Sequence, residues 1–115
     1  MLASLYDDFS PSDAGTVALG SVKALIGDCC TASGMAGLVK TAMALYRRIV
    51  PPSQEAERPN EQLRLGETPF FLNLAPRPWV HNNAGLPRRA GVASLTLCGG
   101  SAFAILEQFR ERSAP

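Results

Sequence analysis

The sequence predicts an α/β fold: part of a mixed β-sheet, one central helix packed closely on it, and a β-hairpin towards the C-terminus. Three observations predict it. Val17 to Val22 is a short apolar run between turn signals, most simply a buried strand. From Thr31 to Arg48, apolar residues recur at helical spacing. Beyond Arg89, two strand-like runs flank Gly99-Gly100, a two-residue turn signal.

The bulk numbers bound the function. A chain of 115 residues is one domain, spanning residues 1–115, or part of one. Hydrophobic content of 46% with 18% charge is ordinary for a folded domain and argues against disorder. A net charge of +1 offers no basic field for nucleic acid and no acidic tail. No apolar run reaches the roughly 18 residues of a membrane span, and Met1 to Phe9 lacks the basic start of a signal peptide. Three cysteines, two of them adjacent, make no disulfide framework and imply a reducing, cytoplasmic setting. Cys29-Cys30 lacks metal-ligand spacing and His81 is the sole histidine, so no metal or cofactor is expected.

Taken in order, Leu2 to Tyr6 reads as the end of a short helix, followed by a loop from Asp7 to Gly15. The strand from Val17 comes next, then the central helix. There Met35, Leu38, Val39, Ala42, Leu45 and Ile49 make one apolar face, with Met35 and Met43 expected in the core. Thr31 or Ser33 can cap its start, Arg47 and Arg48 suit its carbonyl end, and Pro51-Pro52 stop it. Gly34, Ala36 and Gly37 weaken an isolated helix, so another backbone is expected to come very close there. Residues 51–68 read as a polar connection, Pro69 to Asn73 as a short strand, and His81 to Gly85 as a turn. In the hairpin, Leu95 and Leu97 share one strand face, and Phe103 and Ile105 another. A charged tail runs from Phe109 to Pro115.

Three blocks carry a family resemblance. Gly20-Ser21-Val22-Lys23-Ala24-Leu25-Ile26-Gly27-Asp28 is similar to G-S-V-K-S-N-I-G-H, and the small-residue helix follows at once. Val50-Pro51-Pro52 with Glu57 to Asn60 resembles an L-P-P…P-N element. Pro69 to Asn73, Arg77-Pro78-Trp79 and Pro87 to Ser94 resemble P-F-Y-L-N…R-P-W…P-R-R-A-G-V-S-S. Together they are similar to the C-terminal part of β-ketoacyl synthases, with a flavour closest to polyketide or polyunsaturated fatty-acid synthases. The resemblance implies the C-terminal half of a thiolase-like fold, with the hairpin extending the sheet that holds the Val17 strand. In the complete enzyme it implies a decarboxylative Claisen condensation, with acyl and malonyl thioesters and an acyl carrier protein as substrates and partner.

The same resemblance marks the site. Lys23 matches a lysine whose ammonium helps to organise two histidines. Asp28 stands at the second histidine. The nucleophilic cysteine and first histidine belong to motifs upstream of the Gly20 block, and neither Cys29 nor Cys30 matches the nucleophile's motif. The family's F-G-F-G-G-T-N-A-H loop corresponds to Leu95 to Phe103, placing Cys98, Gly99 and Gly100 at its thioester-facing part. A neutral imidazole can donate a hydrogen bond to a developing enolate, whereas an ionised carboxylate only accepts and repels the charge. Asp28 therefore reads as a cap or ion-pair partner, and the isolated chain as lacking condensing activity. Trp79 reads as a packing anchor, His81 as a solvated loop residue, and Cys29-Cys30 as small side chains at a tight turn. Two functions stay open: half of a condensing enzyme completed by the missing ketosynthase half, or a scaffold like chain-length-factor subunits in a homo- or hetero-dimer. Alone, such a piece leaves its helix face and sheet edges uncovered, so poor solubility or obligate association is expected.

Overall fold

The structure, a computed structural model, describes residues 15–53, 57–80 and 86–109. The expected N-terminal helix end, the turn at 81–85 and the tail beyond Phe109 lie outside the described residues. β1 (Val17–Leu19) is shorter than the apolar run, because the chain leaves it at Gly20 and winds into one helical turn, α1 (Lys23–Ile26). A single 3₁₀ turn at Cys30–Ala32 then leads into α2 (Ser33–Arg47). β1 pairs in parallel with β3 (Phe70–Leu72), Val17 opposite Phe70 and Leu19 opposite Leu72. Parallel neighbours need a long crossover, and α2 lies within it. The expectation of a buried strand is corrected: Val17 and Leu19 are half-buried and Ala18 is exposed, since among the described residues this ladder has two strands.

The helix begins and ends differently from expectation. Neither Thr31 nor Ser33 caps it through its side chain; Ala32 takes the cap position and the Ser33 hydroxyl turns to Asp28. At its far end Arg48 adopts a left-handed conformation (φ 55°), which turns the chain before the prolines are reached. It then enters β2 (Ile49–Val50), antiparallel to β4 (Arg77–Pro78).

The small residues of α2 do receive a close neighbour. It is β5 (Arg89–Leu95), the first strand of the hairpin. A Cβ at Gly34 would lie 2.8 Å from Ser94 Oγ, and one at Gly37 would lie 3.4 Å from Val92 Cγ1. Because that face is taken by the hairpin, the larger residues point elsewhere. Leu45 is buried, but Met35, Val39 and Met43 are 63%, 56% and 48% exposed, which corrects the placement of the two methionines in the core.

β6 (Ser101–Glu107) returns antiparallel to β5, from Arg89 opposite Glu107 to Leu95 opposite Ser101. The turn has five residues, 96–100, rather than two. The Thr96 amide donates to the Gly100 carbonyl (2.8 Å), the Gly100 amide donates to Thr96 Oγ (2.9 Å), and Gly99 supplies a left-handed φ of 81°. Leu97 therefore sits fully exposed at the tip instead of on a strand face. The hairpin forms its own ladder and does not extend the β1–β3 pair, because it docks through α2 and not edge to edge. Ala90, Val92 and Ser94 are half-buried, while Leu95, Phe103 and Ile105 are exposed on the other face, with the Phe103 ring close over Gly91.

Residues 57–68 hold two 3₁₀ turns, Glu61–Leu63 and Leu65–Glu67. Among the described residues the buried apolar side chains are Leu45, Val50 and Phe70. Buried Asn73 ties their strands together: its Nδ2 donates to the carbonyls of Val50 (3.0 Å), Pro51 (3.1 Å) and Ala75 (2.6 Å).

Candidate functional site

The segment Gly20 to Ser33 is held from three sides. Lys40 of α2 reaches across and donates from Nζ to the Ser21 carbonyl (2.8 Å), and burial pushes its ammonium down from the usual lysine value. Ser53 Oγ donates to the Leu19 carbonyl at the end of β1 (3.0 Å). The Lys23 amide, at the start of α1, donates to Ser21 Oγ (3.2 Å). After α1, Gly27 adopts φ 79°, a left-handed value that glycine takes without a Cβ penalty, and the chain turns back towards Lys23.

That reversal brings the two predicted residues together. Lys23 Nζ lies 3.1 Å from Asp28 Oδ2. Asp28 Oδ1 accepts from Ser33 Oγ (2.8 Å) and from the Cys30 amide (2.9 Å). Both carboxylate oxygens are thus engaged as acceptors. The Ser33 hydroxyl first, then the Cys30 amide and Lys23, hold the Asp28 carboxyl below its usual value. The charged form is therefore the stable one, and a charged carboxylate has no proton to donate. Lys23 and Asp28 are both more than half exposed, so their attraction is screened and orients the loop more than it stabilises it.

The hairpin loop arrives at the same end of α2. Val92 lies over Gly37 and Ser94 over Gly34, so β5 runs towards the helix N-terminus and delivers residues 96–100 beyond it. Cys98, Gly99 and Gly100 are exposed there. Cys29 is half-buried and Cys30 is exposed with φ 48°; all three cysteines are free thiols. Among the described residues no His, Cys, Asp or Glu group could hold a metal ion, and no helix is long and apolar enough to cross a membrane. An open apolar cleft of about 430 Å³ beside β3, lined by Leu65, Phe70, Phe71, Leu72 and Leu74 among others, includes none of the predicted site residues.

Sequence reasoning left Lys40, Ser53 and Ser33 without their parts in this arrangement. Lys40 lies within the family-like run A-x-G-x-A-G-L-x-K, which is the signal that could have singled it out. Ser33 read as a helix cap because the 3₁₀ turn that carries it back to Asp28 leaves no mark in the sequence.

The family model for the β-ketoacyl synthase C-terminal domain matches residues 2–57. Over 98% of its length the chain superimposes on the ketosynthase from module 6 of the bacillaene synthase of Bacillus subtilis 168 (C167S mutant), with a TM-score of 0.88 and 29% identity. This chain belongs to the β-ketoacyl synthase family.

Within that family its relatives are polyketide synthases. It is 42% identical over 90 residues to polyketide synthase GfsE of Streptomyces halstedii, covering 78% of this chain and 2% of that protein. It is 34% identical over 108 residues to the hybrid PKS-NRPS synthetase pytA of Aspergillus terreus, covering 94% of this chain and 16% of that protein. The chain spans 21% of the bacillaene ketosynthase. It is a C-terminal ketosynthase segment with the thiolase-like fold of those structures. Residues 58–109, the hairpin among them, lie outside the family-model match, and the alignment with pytA and the structural superposition both extend the likeness over them.

Proposed function

We propose that this segment supplies the C-terminal part of a polyketide-type ketosynthase whose decarboxylating step is disabled at Asp28. In a complete enzyme of this kind, a cysteine thiolate displaces the thiol of an acyl thioester and holds the acyl group. Malonyl on an acyl carrier protein then loses CO₂, and the electron pair of the broken C–C bond forms an enolate. The enolate carbon attacks the acyl carbonyl and expels the cysteine thiolate. No cofactor enters these steps, and three free thiols fit a reducing, cytoplasmic setting.

Lys23 and Asp28 would face the malonyl group, with Cys98, Gly99 and Gly100 on the thioester side. The observation that carries the reading is that Asp28 is an ionised, fully engaged acceptor. An enolate needs an aimed donor, and general acid–base groups of this kind contribute about 10²–10⁴-fold to rate. The test is decarboxylation of malonyl-acyl carrier protein by a chimeric ketosynthase carrying this chain as its C-terminal segment. With Asp28 in place the rate should be near background, and Asp28→His should raise it by roughly 10²–10⁴-fold. Rapid decarboxylation with Asp28 unchanged would contradict the reading.

A second reading, a scaffold subunit resembling chain-length factors, is favoured by the wide exposed apolar faces of α2 and the hairpin. On that reading the chain co-purifies with an active ketosynthase and never becomes acylated itself.

A further inference from the structure

We propose that Lys40 and Ser53 clamp the backbone on either side of Gly20 and so position Lys23 for the condensing reaction; this rests on the family reading above. Lys23 opens α1, which has four residues, too few to hold a helix by its own cooperativity. Packing does not hold it either, since no residue of α1 is buried and Leu25 and Ile26 are exposed. Its placement is therefore set by the ties at its two ends. The exit tie is the Asp28 carboxylate, which takes Ser33 and the Cys30 amide. The entry tie is the clamp.

Two donors from distant parts of the chain converge there. Lys40 Nζ, on α2, reaches the Ser21 carbonyl, and Ser53 Oγ, just beyond β2, reaches the Leu19 carbonyl. A Cβ on Gly20 would stand 3.7 Å from each donor atom. Ser53 is itself anchored, because its amide donates to the carbonyl of buried Asn73 (2.7 Å). Within the clamp, Ser21 Oγ accepts from the Lys23 amide, which passes the position of the held segment on to the start of α1. Lys40 gives up water for its contact, and burial lowers its pKa accordingly, whereas a lysine placed only for solubility keeps its ammonium in solvent. Among the described residues neither donor bonds to Lys23 or Asp28, so both act through the backbone, as positioning residues.

The test uses the chimeric ketosynthase with Asp28→His, where the exit tie has lost its carboxylate and the clamp carries more of the positioning. In it, Lys40→Met is expected to lower kcat for decarboxylation of malonyl-acyl carrier protein by on the order of tenfold with KM unchanged. Lys40→Arg keeps a charged donor and is expected to recover most of that loss. Ser53→Ala is expected to lower kcat in the same direction by less. A folded Lys40→Met variant with undiminished kcat, whatever its thermal midpoint, overturns the clamp and leaves the family reading intact. A rise in KM at constant kcat, or a loss that Lys40→Arg does not restore, overturns it as well. Where Lys40→Met fails to fold, Ser53→Ala decides, and an unchanged kcat overturns the proposal. An Asp28→His chimera that never decarboxylates above background contradicts the proposed function, and the clamp falls with it.

Discussion

Asp28 carries the most consequential chemistry for its size. One carboxylate takes a hydroxyl, an amide and an ammonium, so that on the proposed reading an acceptor stands where the reaction calls for a donor. Its carboxyl is held below the ordinary aspartate value of 3.8, chiefly by Ser33. A depressed carboxylate stabilises the folded state fully above that ordinary value and ceases to do so as pH falls through the folded-state value. In the chimera, the thermal midpoint of Asp28→Asn should therefore lie below that of the unchanged protein by a constant gap between about pH 7 and pH 5. The gap should narrow below about pH 4. A gap that stays constant into the acid range would show that the charge of Asp28 adds no stability. Buried Asn73 makes the complementary point, because its amide can donate where an aspartate could not, and its three carbonyl partners hold β2 and β3 in place.

At the scale of elements, the glycines of α2 decide how the helix and hairpin meet. Alanine is favoured over glycine in a helix by up to about 1 kcal/mol. At Gly37 the new Cβ meets Val92 Cγ1 at 3.4 Å, a tight contact that a small shift relieves, so Gly37→Ala should be neutral or slightly stabilising. At Gly34 it would meet Ser94 Oγ at 2.8 Å and Ser94 Cβ at 2.9 Å. Overpacking of that kind costs about 1–3 kcal/mol, so Gly34→Ala should destabilise on balance, and Ser94→Gly in the same molecule should recover most of the loss. Urea unfolding of the three chimeric variants and their parent would measure both effects. The small-residue run was legible in the sequence because glycine in a helix needs a reason outside the helix. Which strand supplied that reason was not, since β5 lies more than fifty residues away along the chain. The five-residue hairpin turn escaped as well, because Gly99-Gly100 carries a two-residue signal that the Thr96 hydroxyl overrides through its bond with the Gly100 amide. Asp28 was legible as a cap or ion-pair partner through the family resemblance, but the α1 turn and the Gly27 reversal that bring it within 3.1 Å of Lys23 were not.

At the scale of the whole molecule, the apolar pattern was read correctly as pattern and wrongly as core. Met35, Val39 and Met43 have helical periodicity, yet periodicity cannot say which of two apolar sides finds a partner within the same chain. Among the described residues the hairpin covers one side of α2, the other side is exposed, and the strands form three two-stranded ladders. The buried apolar set among the described residues is Leu45, Val50 and Phe70, and the conformational entropy of ordering those residues needs more burial to offset it. On the proposed reading, this ketosynthase segment becomes a stable fold when the rest of a ketosynthase domain covers it. Thermal unfolding of the 115-residue chain, with sedimentation analysis of the same sample, tests that claim most directly. Self-association or a broad, non-cooperative transition is expected for the chain alone. A monodisperse monomer with a single sharp transition would contradict it.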